Sequence, residues 1–415
     1  MKLKPFFSSW KVIAIYFLLI LWESPNITFY ALRPSDLWLV WALFSQRGKA
    51  AKKINGYELS LLLLALLSQI SNLIFTIIEG AAFKPQYFFS AYIFIRIFII
   101  ARIARNIFWQ NGEQNKLLNF FMIAVVSTYF IVLCQYYLIE PLNIQTRLFF
   151  SDKNDYTVLN TNLTNNRIIG TIGNPNYLGF LICLCSFLYF TKILSRFSLI
   201  NFSILLFSVY LIVFATASRS AILILGIGIL IYTVFNKGSS LNKSIRILLI
   251  LLLSVVVVSL VSIGDAVPQR IESLFHNGYN DDLLFEPRIQ FWQSKISLVE
   301  SNLLYIIWGH GVGSIFSTYS DNMFLTFFLN YGFVGIVLFL FILTSSLRKT
   351  TLSLKNNSCA ELYNNQLVLM CLIIMIILGN IVSEVYLQAK IGPIVAVFFA
   401  QTFNDEFCPN GKNRV

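Results

Sequence analysis

Charge is what this sequence has least of: acidic and basic side chains together make up 12% of its 415 residues. Soluble globular chains carry about a quarter of their residues as Asp, Glu, Lys or Arg, so this scarcity excludes an ordinary water-soluble domain. Organised cysteine chemistry is missing too. Cys134, Cys183, Cys185 and Cys371 lie inside apolar runs, and Cys359 and Cys408 fall in loops expected on the cytoplasmic side. None of them has a metal-ligand spacing, and no pair suggests a disulfide framework. The lysine-flanked apolar stretch at residues 1–22 is not followed by a small-x-small cleavage site. It is therefore expected to stay as a first helix rather than be removed as a signal peptide. Nor is there a visible repeat of the kind that marks inverted-repeat transporters.

Apolar runs fill the space that charge leaves. Hydrophobic residues make up 57% of the chain, and mean hydropathy is +0.71. A membrane-spanning helix needs about 20 predominantly apolar residues. Twelve stretches qualify, at roughly 8–22, 28–45, 59–78, 87–108, 117–139, 168–190, 199–217, 220–235, 246–263, 322–346, 365–383 and 387–404. The second is interrupted by Arg33, Pro34 and Asp36, the eighth is short, and Arg96 sits inside the fourth. In a soluble protein the net charge of +12 would raise nucleic acid as a partner. Here the basic residues are dispersed in short loops, so topology accounts for them and no nucleic-acid partner is expected. With the N-terminus inside, most lysines and arginines fall on the cytoplasmic side, among them Arg47, Lys49, Lys52, Lys53, Arg102, Arg105, Lys237, Lys243, Arg348 and Lys349. Acids gather on the other side, although they carry little topogenic weight. Both termini are expected in the cytoplasm.

The expectation is thus an all-α integral membrane protein, a single polytopic domain over residues 1–415 with about twelve transmembrane helices. Two outer segments are too long to be turns: residues 140–167 and a large, partly helical outer (periplasmic) loop at 264–321, before the tenth span. Within the larger loop, Glu286-Pro287 reads as a helix start. Ile289, Trp292, Ile296 and Val299 then recur at helical spacing, flanked by Arg288 and Lys295. Such a helix suits the membrane interface.

Three constellations carry the polar chemistry. The first, Arg167 followed by Gly170, Gly173-Asn174-Pro175-Asn176 and Gly179, opens the sixth span. It reads either as a proline kink with glycine-mediated packing or as a ligand-binding break whose asparagines serve freed backbone groups. The second, Thr216-Ala217-Ser218-Arg219-Ser220, is a tight outer turn. Its arginine either snorkels to lipid phosphate or holds an anion. The third joins Arg288, Trp292 and Lys295 to Trp308-Gly309-His310-Gly311-Val312-Gly313-Ser314, then Asp321-Asn322 and Asn330-Tyr331-Gly332. Its glycines allow a turn with exposed backbone N–H groups suited to anions. His310 reads equally as a hydrogen-bonded loop residue, and Asp321 as a helix N-cap. Asp281, Asp282 and Glu286 could hold a hard cation, but a solvated loop explains them and no metal is expected.

In that order, Arg167 with Gly173-Asn174-Pro175-Asn176, Ser218-Arg219-Ser220, Arg288 with Trp292, Gly309-His310-Gly311, Asp321-Asn322 and Asn330-Tyr331-Gly332-Phe333-Val334-Gly335 resemble the O-antigen polymerase and O-antigen ligase superfamily. The resemblance implies a GT-C-like membrane glycosyltransferase with its active site on the outer face of the cytoplasmic (inner) membrane. Its donor would be a polyprenyl-diphosphate-linked oligosaccharide and its acceptor a glycan, with no cofactor and no nucleotide sugar. Partners implied are the lipid bilayer and, as a candidate, a chain-length regulator. Arg219 and Arg288 take catalytic roles by resemblance, with Arg167 as a further diphosphate ligand; Asn174, Asn176, Trp292, His310 and Asn322 fall to substrate binding. Guanidinium groups suit the task because they bind phosphate bidentately and stay charged, and fixed cations stabilise a phosphate leaving group. One position departs from the pattern. Ligases typically place a histidine before the Asn-x-x-Leu stretch, and here Asp321 precedes Asn322. That favours a repeat-unit polymerase in which Asp321 orients or deprotonates the acceptor hydroxyl. The alternatives are a ligase passing finished glycan to a lipid or protein acceptor, and a flippase or transporter of the lipid-linked oligosaccharide.

Overall fold

The structure, a computed structural model, describes residues 8–23, 33–45, 54–82, 84, 87–105, 107, 112–137, 142–150, 168–236, 290, 292–297, 299–300, 302–311, 322–356 and 360–403. Every regular element among them is a helix. In chain order these are α1 (Ser9–Trp22), α2 (Pro34–Ser45), α3 (Gly56–Ile78), α4 (Phe88–Ala104), α5 (Glu113–Ser127), α6 (Tyr129–Tyr136) and α7 (Leu142–Phe150). They continue with α8 (Pro175–Ser195), α9 (Leu199–Tyr210), a π-helical turn (Leu211–Thr216), α10 (Arg219–Phe235), α11 (Leu303–Trp308), α12 (Met323–Asn356), α13 (Ala360–Val382) and α14 (Ile391–Thr402).

Six helical stretches among the described residues are long and apolar enough to cross a membrane: Gly56–Ile78, Glu113–Tyr136, Pro175–Ser195, Leu199–Thr216, Met323–Lys355 and Leu362–Val382. Shorter apolar helices are Ser9–Trp22, Ser220–Phe235 and Ile391–Thr402. The protein is therefore an α-helical integral membrane protein. The ninth expected span, 246–263, lies outside the described residues, as does most of the loop at 264–321.

Several boundaries differ from the hydropathy reading, each for a local reason. Within the expected second span, 28–45, Arg33, Pro34 and Asp36 mark the start of helix α2, and residues 28–32 lie outside the described residues. Pro34 occupies the first turn, where its missing N–H costs nothing, and the Asp36 carboxylate accepts from the Arg33 N–H at 2.7 Å. The sixth span begins at Pro175 rather than 168, because Gly170 and Gly173 adopt left-handed φ values of 56° and 90°. Pro175 thus opens a helix instead of kinking one. Residues 142–150 of the expected loop 140–167 form α7. The tenth span runs far beyond 346 and breaks at Gly332 (φ 62°, ψ −162°).

Packing centres on α8, whose window of greatest hydropathy is 83% buried, as expected of a helix apolar on all sides. It contacts α5, α9, α10 and α13. Small residues set the close approaches. A Cβ on Gly379 of α13 would lie 2.5 Å from the Phe180 ring, and one on Gly228 of α10 would meet the Met375 sulfur at 2.5 Å. A second group, α4 with α1, α2, α3 and α14, is tied by charge. Glu58 in the first turn of α3 reaches Arg102 at 3.1 Å and Arg105 at 3.0 Å on the end of α4. The same carboxylate closes a capping box with Asn55.

Candidate active site

Non-helical backbone is tolerated at membrane depth only where protein or water serves its polar groups. Three non-helical segments among the described residues bear on the site, and the first and third carry residues marked by the sequence. The first, residues 168–174, is held by Gln135: Gly170 N–H donates to Gln135 Oε1 at 2.9 Å. Ile168 N–H donates to Ala215 O at 2.9 Å, which sets the chain just after Arg167 beside the π-turn that precedes Ser218-Arg219-Ser220. Gly179 tightens the same junction, since a Cβ there would lie 2.7 Å from Ser218 Cβ. Two motifs far apart in sequence are thereby packed together. Asn174 caps α8, its Oδ1 accepting from the N–H groups of Asn176 at 2.9 Å and Tyr177 at 3.5 Å. Both asparagines keep partial exposure. The π-turn ends on Ala217, the one described non-glycine residue with positive φ, at 48°. Wide turns of this kind are frequent at functional sites.

The second segment, residues 383–390 between α13 and α14, is buried, with Val385 and Tyr386 fully enclosed. Asn380 Oδ1 accepts from Tyr386 N–H at 3.0 Å, and Gln388 Oε1 accepts from the N–H groups of Lys390 and Ile391, each at 2.7 Å. Two of its charges are buried. Glu384 accepts a hydrogen bond from the Thr326 hydroxyl, one turn into α12 from Asn322. Lys390 Nζ donates to the Glu23 carbonyl at 2.6 Å and the Thr171 carbonyl at 2.5 Å, and lies 5.3 Å from the Phe150 ring centre. Lys390 thus joins the end of α1, the turn before α8 and α14.

Around it sits an ionic network that the sequence reading did not assemble. Arg96, midway along α4, meets Asp36 Oδ1 at 2.7 Å and donates to Ser35 Oγ at 2.9 Å and Ala389 O at 3.0 Å. Glu23 takes Arg33 at 3.5 Å and Arg96 at 3.7 Å, and accepts from Ser35 Oγ at 3.1 Å. The available signal was Arg96 itself. A charge inside a span calls for a partner, and the acids at 23 and 36 border the one weak span.

The third segment is the turn Gly309-His310-Gly311 after α11. The backbone N–H groups of these three residues are not free for an anion, while Val312, Gly313 and Ser314 of the same expected turn lie outside the described residues. The three described groups donate to the carbonyls of Tyr305 at 2.8 Å, Leu329 at 2.8 Å and Asn330 at 3.0 Å. The break at Gly332 makes these bonds possible by freeing carbonyls in the first part of α12. Ser71 of α3 donates to Trp308 O at 2.5 Å. His310 is 7% exposed and stacks on Tyr305 at 3.8 Å between ring centres. The Tyr305 hydroxyl donates to Glu79 at 2.7 Å, and burial together with that carboxylate keeps the phenol protonated well above its usual range. Asn322, not Asp321, caps α12, its Oδ1 accepting from Phe324 N–H at 2.9 Å and Leu325 N–H at 3.1 Å.

Of the residues singled out by sequence, Arg167, Arg288 and Asp321 lie outside the described residues, as do Asp281, Asp282 and Glu286. Arg219 is described only as the first residue of α10. Trp292 lies on a helical stretch at 292–297 and is half-buried. The described parts form a chain of contacts: Ser218 against Gly179, Thr171 to Lys390, Glu384 to Thr326, and Asn330 to Gly311.

Residues 202–340 match the family model described as O-antigen ligase. That interval runs from within α9 into α12 and takes in Ser218-Arg219-Ser220, Arg288, Trp292, Gly309-His310-Gly311, Asp321-Asn322 and Asn330 to Gly335; Arg167 and Asn174 to Asn176 precede it. No curated protein matches the chain. The match covers about a third of this helical membrane protein and supports a likeness to the O-antigen ligase and polymerase superfamily. The ordered motifs and the match agree on that superfamily.

Proposed function

We propose that this chain is a glycosyltransferase that polymerises polyprenyl-diphosphate-linked oligosaccharide repeat units into a surface polysaccharide, on the outer side of the cytoplasmic membrane. The observation that carries the reading is the ordered motif set from Ser218 to Gly335, lying within the family-matched interval and bearing an acid, Asp321, before Asn322. In the reaction an acceptor hydroxyl attacks the anomeric carbon of the donor, the carbon–oxygen bond to the diphosphate breaks, and the diphosphate leaves with the electron pair. Arg167, Arg219 and Arg288 bind that diphosphate and stabilise the charge it gains, as preorganised cations do in a site shielded from water. Asp321 takes the hydroxyl proton. Asn174, Asn176, Trp292, His310 and Asn322 hold the sugars, Trp292 offering a ring face to a pyranose. Both termini face the cytoplasm, and a chain-length regulator is the expected protein partner.

A second reading has its own support: the matched family model is described as a ligase. A ligase would run the same chemistry at the donor and pass finished glycan to a lipid or protein acceptor. The test is glycan analysis of a strain lacking the gene, complemented with wild type or Arg288→Ala. Single-repeat surface glycan in the deletion, restored by wild type but not by Arg288→Ala, is the expected result. Full-length polymer retained on the lipid carrier would instead mean a ligase, and an unchanged profile would overturn both readings in favour of transport.

A further inference from the structure

Glu79 ends α3. It falls outside the family-matched interval 202–340, and none of the sequence constellations includes it. Although exposed, its carboxylate accepts a hydrogen bond from the Tyr305 hydroxyl at 2.7 Å. Tyr305 is 2% exposed and packs with Val299 and Leu329, with Phe75 and Ile78 of α3 against them. Its ring lies on the His310 imidazole with 3.8 Å between centres and 27° between planes. Phe75, one turn before Glu79, meets the same imidazole at 6.4 Å and 57°. Helix α3 therefore reaches His310 twice, directly through Phe75 and indirectly from Glu79 through Tyr305.

Backbone and side chain of His310 are fixed by different means. The backbone is pinned to α12 by its N–H bond to Leu329 O at 2.8 Å. The turn is also pressed on α3, where a Cβ on Gly311 would lie 2.4 Å from Asn72 Oδ1. A pinned backbone still leaves two side-chain torsions, the second of them broad. Stacking on Tyr305 sets the plane that those torsions leave open, and the bond to Glu79 holds the far end of the Tyr305 ring in turn. Water screens an exposed carboxylate, so Glu79 acts through the place of its acceptor oxygen more than through its charge. We propose that Glu79 is a positioning residue for glycan binding: through Tyr305 it fixes the plane in which the His310 imidazole hydrogen-bonds a sugar hydroxyl of the substrate. The inference rests on the glycosyl-transfer reading, in which His310 holds a sugar. A tilted ring weakens that bond, because hydrogen bonds fall off steeply as donor and acceptor lose alignment. The bond serves bound substrate and transition state alike, so its loss raises KM and leaves kcat in place.

Two measurements on the purified full chain in phosphatidylcholine nanodiscs test this. The first is carbethoxylation of His310 by diethyl pyrocarbonate at neutral pH, followed by peptide mass spectrometry against added N-acetylhistidine. Glu79→Ala and Tyr305→Phe should each speed the modification about threefold or more, as loss of one hydrogen bond does. Glu79→Gln, which keeps an acceptor oxygen, should stay near wild type. The second is the rate of polymer formation from lipid-linked repeat units extracted from a strain lacking the gene. There Glu79→Ala should raise KM about threefold to tenfold with kcat unchanged, and Glu79→Gln should restore it. On a His310→Ala background, Glu79→Ala should add nothing. Unchanged His310 modification in both Glu79→Ala and Tyr305→Phe would overturn the inference. So would a Glu79→Ala loss that persists in full beside His310→Ala, which marks a contact that only holds α3 to α11. A wild-type chain that forms no polymer, with His310 modification still responding to Glu79→Ala and Tyr305→Phe, would refute the polymerase reading and leave Glu79 as the residue that positions His310.

Discussion

Replacing Gly332 with alanine tests a tightly constrained joint among the described residues. Its backbone, at φ 62° and ψ −162°, lies in a region open essentially to glycine alone, and forcing another residue there costs about 1–3 kcal/mol. Space is also lacking. The new Cβ would lie 2.3 Å from both the carbonyl carbon and oxygen of Ile307 and 2.5 Å from Trp308 N. These are backbone atoms, so no rotamer change relieves the clash; α11 must move off α12. That movement breaks the bonds from His310 and Gly311 to Leu329 and Asn330, at about 0.5–1.5 kcal/mol each. The total is on the order of 2–6 kcal/mol. Two other glycines separate the terms. Gly80 has φ 60° with nothing within 4 Å of a Cβ, so Gly80→Ala bears only left-handed strain of about 1–2 kcal/mol. Gly226 is helical with equally open space, so Gly226→Ala is neutral or stabilising by up to about 1 kcal/mol. Apparent melting temperatures of the purified chain in detergent should rank Gly226→Ala, Gly80→Ala and Gly332→Ala in descending order. The last should also lose polysaccharide synthesis in cells. If Gly332→Ala melts together with Gly80→Ala, the contact between α11 and the break in α12 is not the joint described.

Three further outcomes are expected. Glu58→Gln leaves Arg102 and Arg105 without their carboxylate; unpairing buried charges costs about 3–5 kcal/mol, less here because Arg102 is 18% exposed, and steady-state protein in the membrane should fall. Ala217→Gly relieves left-handed strain of about 1–2 kcal/mol, from which the freer unfolded chain takes back about 0.4–1 kcal/mol, so the melting temperature should rise slightly; a clear drop would mean that the methyl group, not the backbone, matters there. Asp321→Ala should let single repeat units accumulate on the carrier lipid, and full activity in that variant would remove Asp321 from the mechanism.

Hydropathy made the helical class and most of the helices legible, because a span announces itself over twenty residues. It misplaced helix starts wherever local polar chemistry decides them. Pro34 and Asp36 read as an interruption when they form the first turn of α2, and the kink reading of Pro175 gives way to a helix start after a capping asparagine. The glycines at 309 and 311 marked a turn correctly but not its purpose, since spacing cannot reveal that the N–H groups are consumed by carbonyls freed twenty residues later at Gly332. The network of Glu23, Arg33, Asp36, Arg96 and Lys390 was the least visible. Its members come from α1, α2, α4 and the approach to α14, and each alone looks like an interfacial charge. Only Arg96, buried within its span, asked for partners.

Lys390 has a consequence for how the protein is made. The carbonyls it satisfies belong to Glu23 and Thr171, both synthesised long before it. Until the ribosome has passed position 390, the first helix and the turn before α8 hold open acceptors in a low-dielectric setting, and Arg96 has not met Ala389. Lys390 therefore acts as a late lock: segments made early acquire polar partners from a segment made long afterwards. A nascent chain stalled before position 390 would present an unfinished polar seam, with the Glu23 and Thr171 carbonyls not yet served by Lys390.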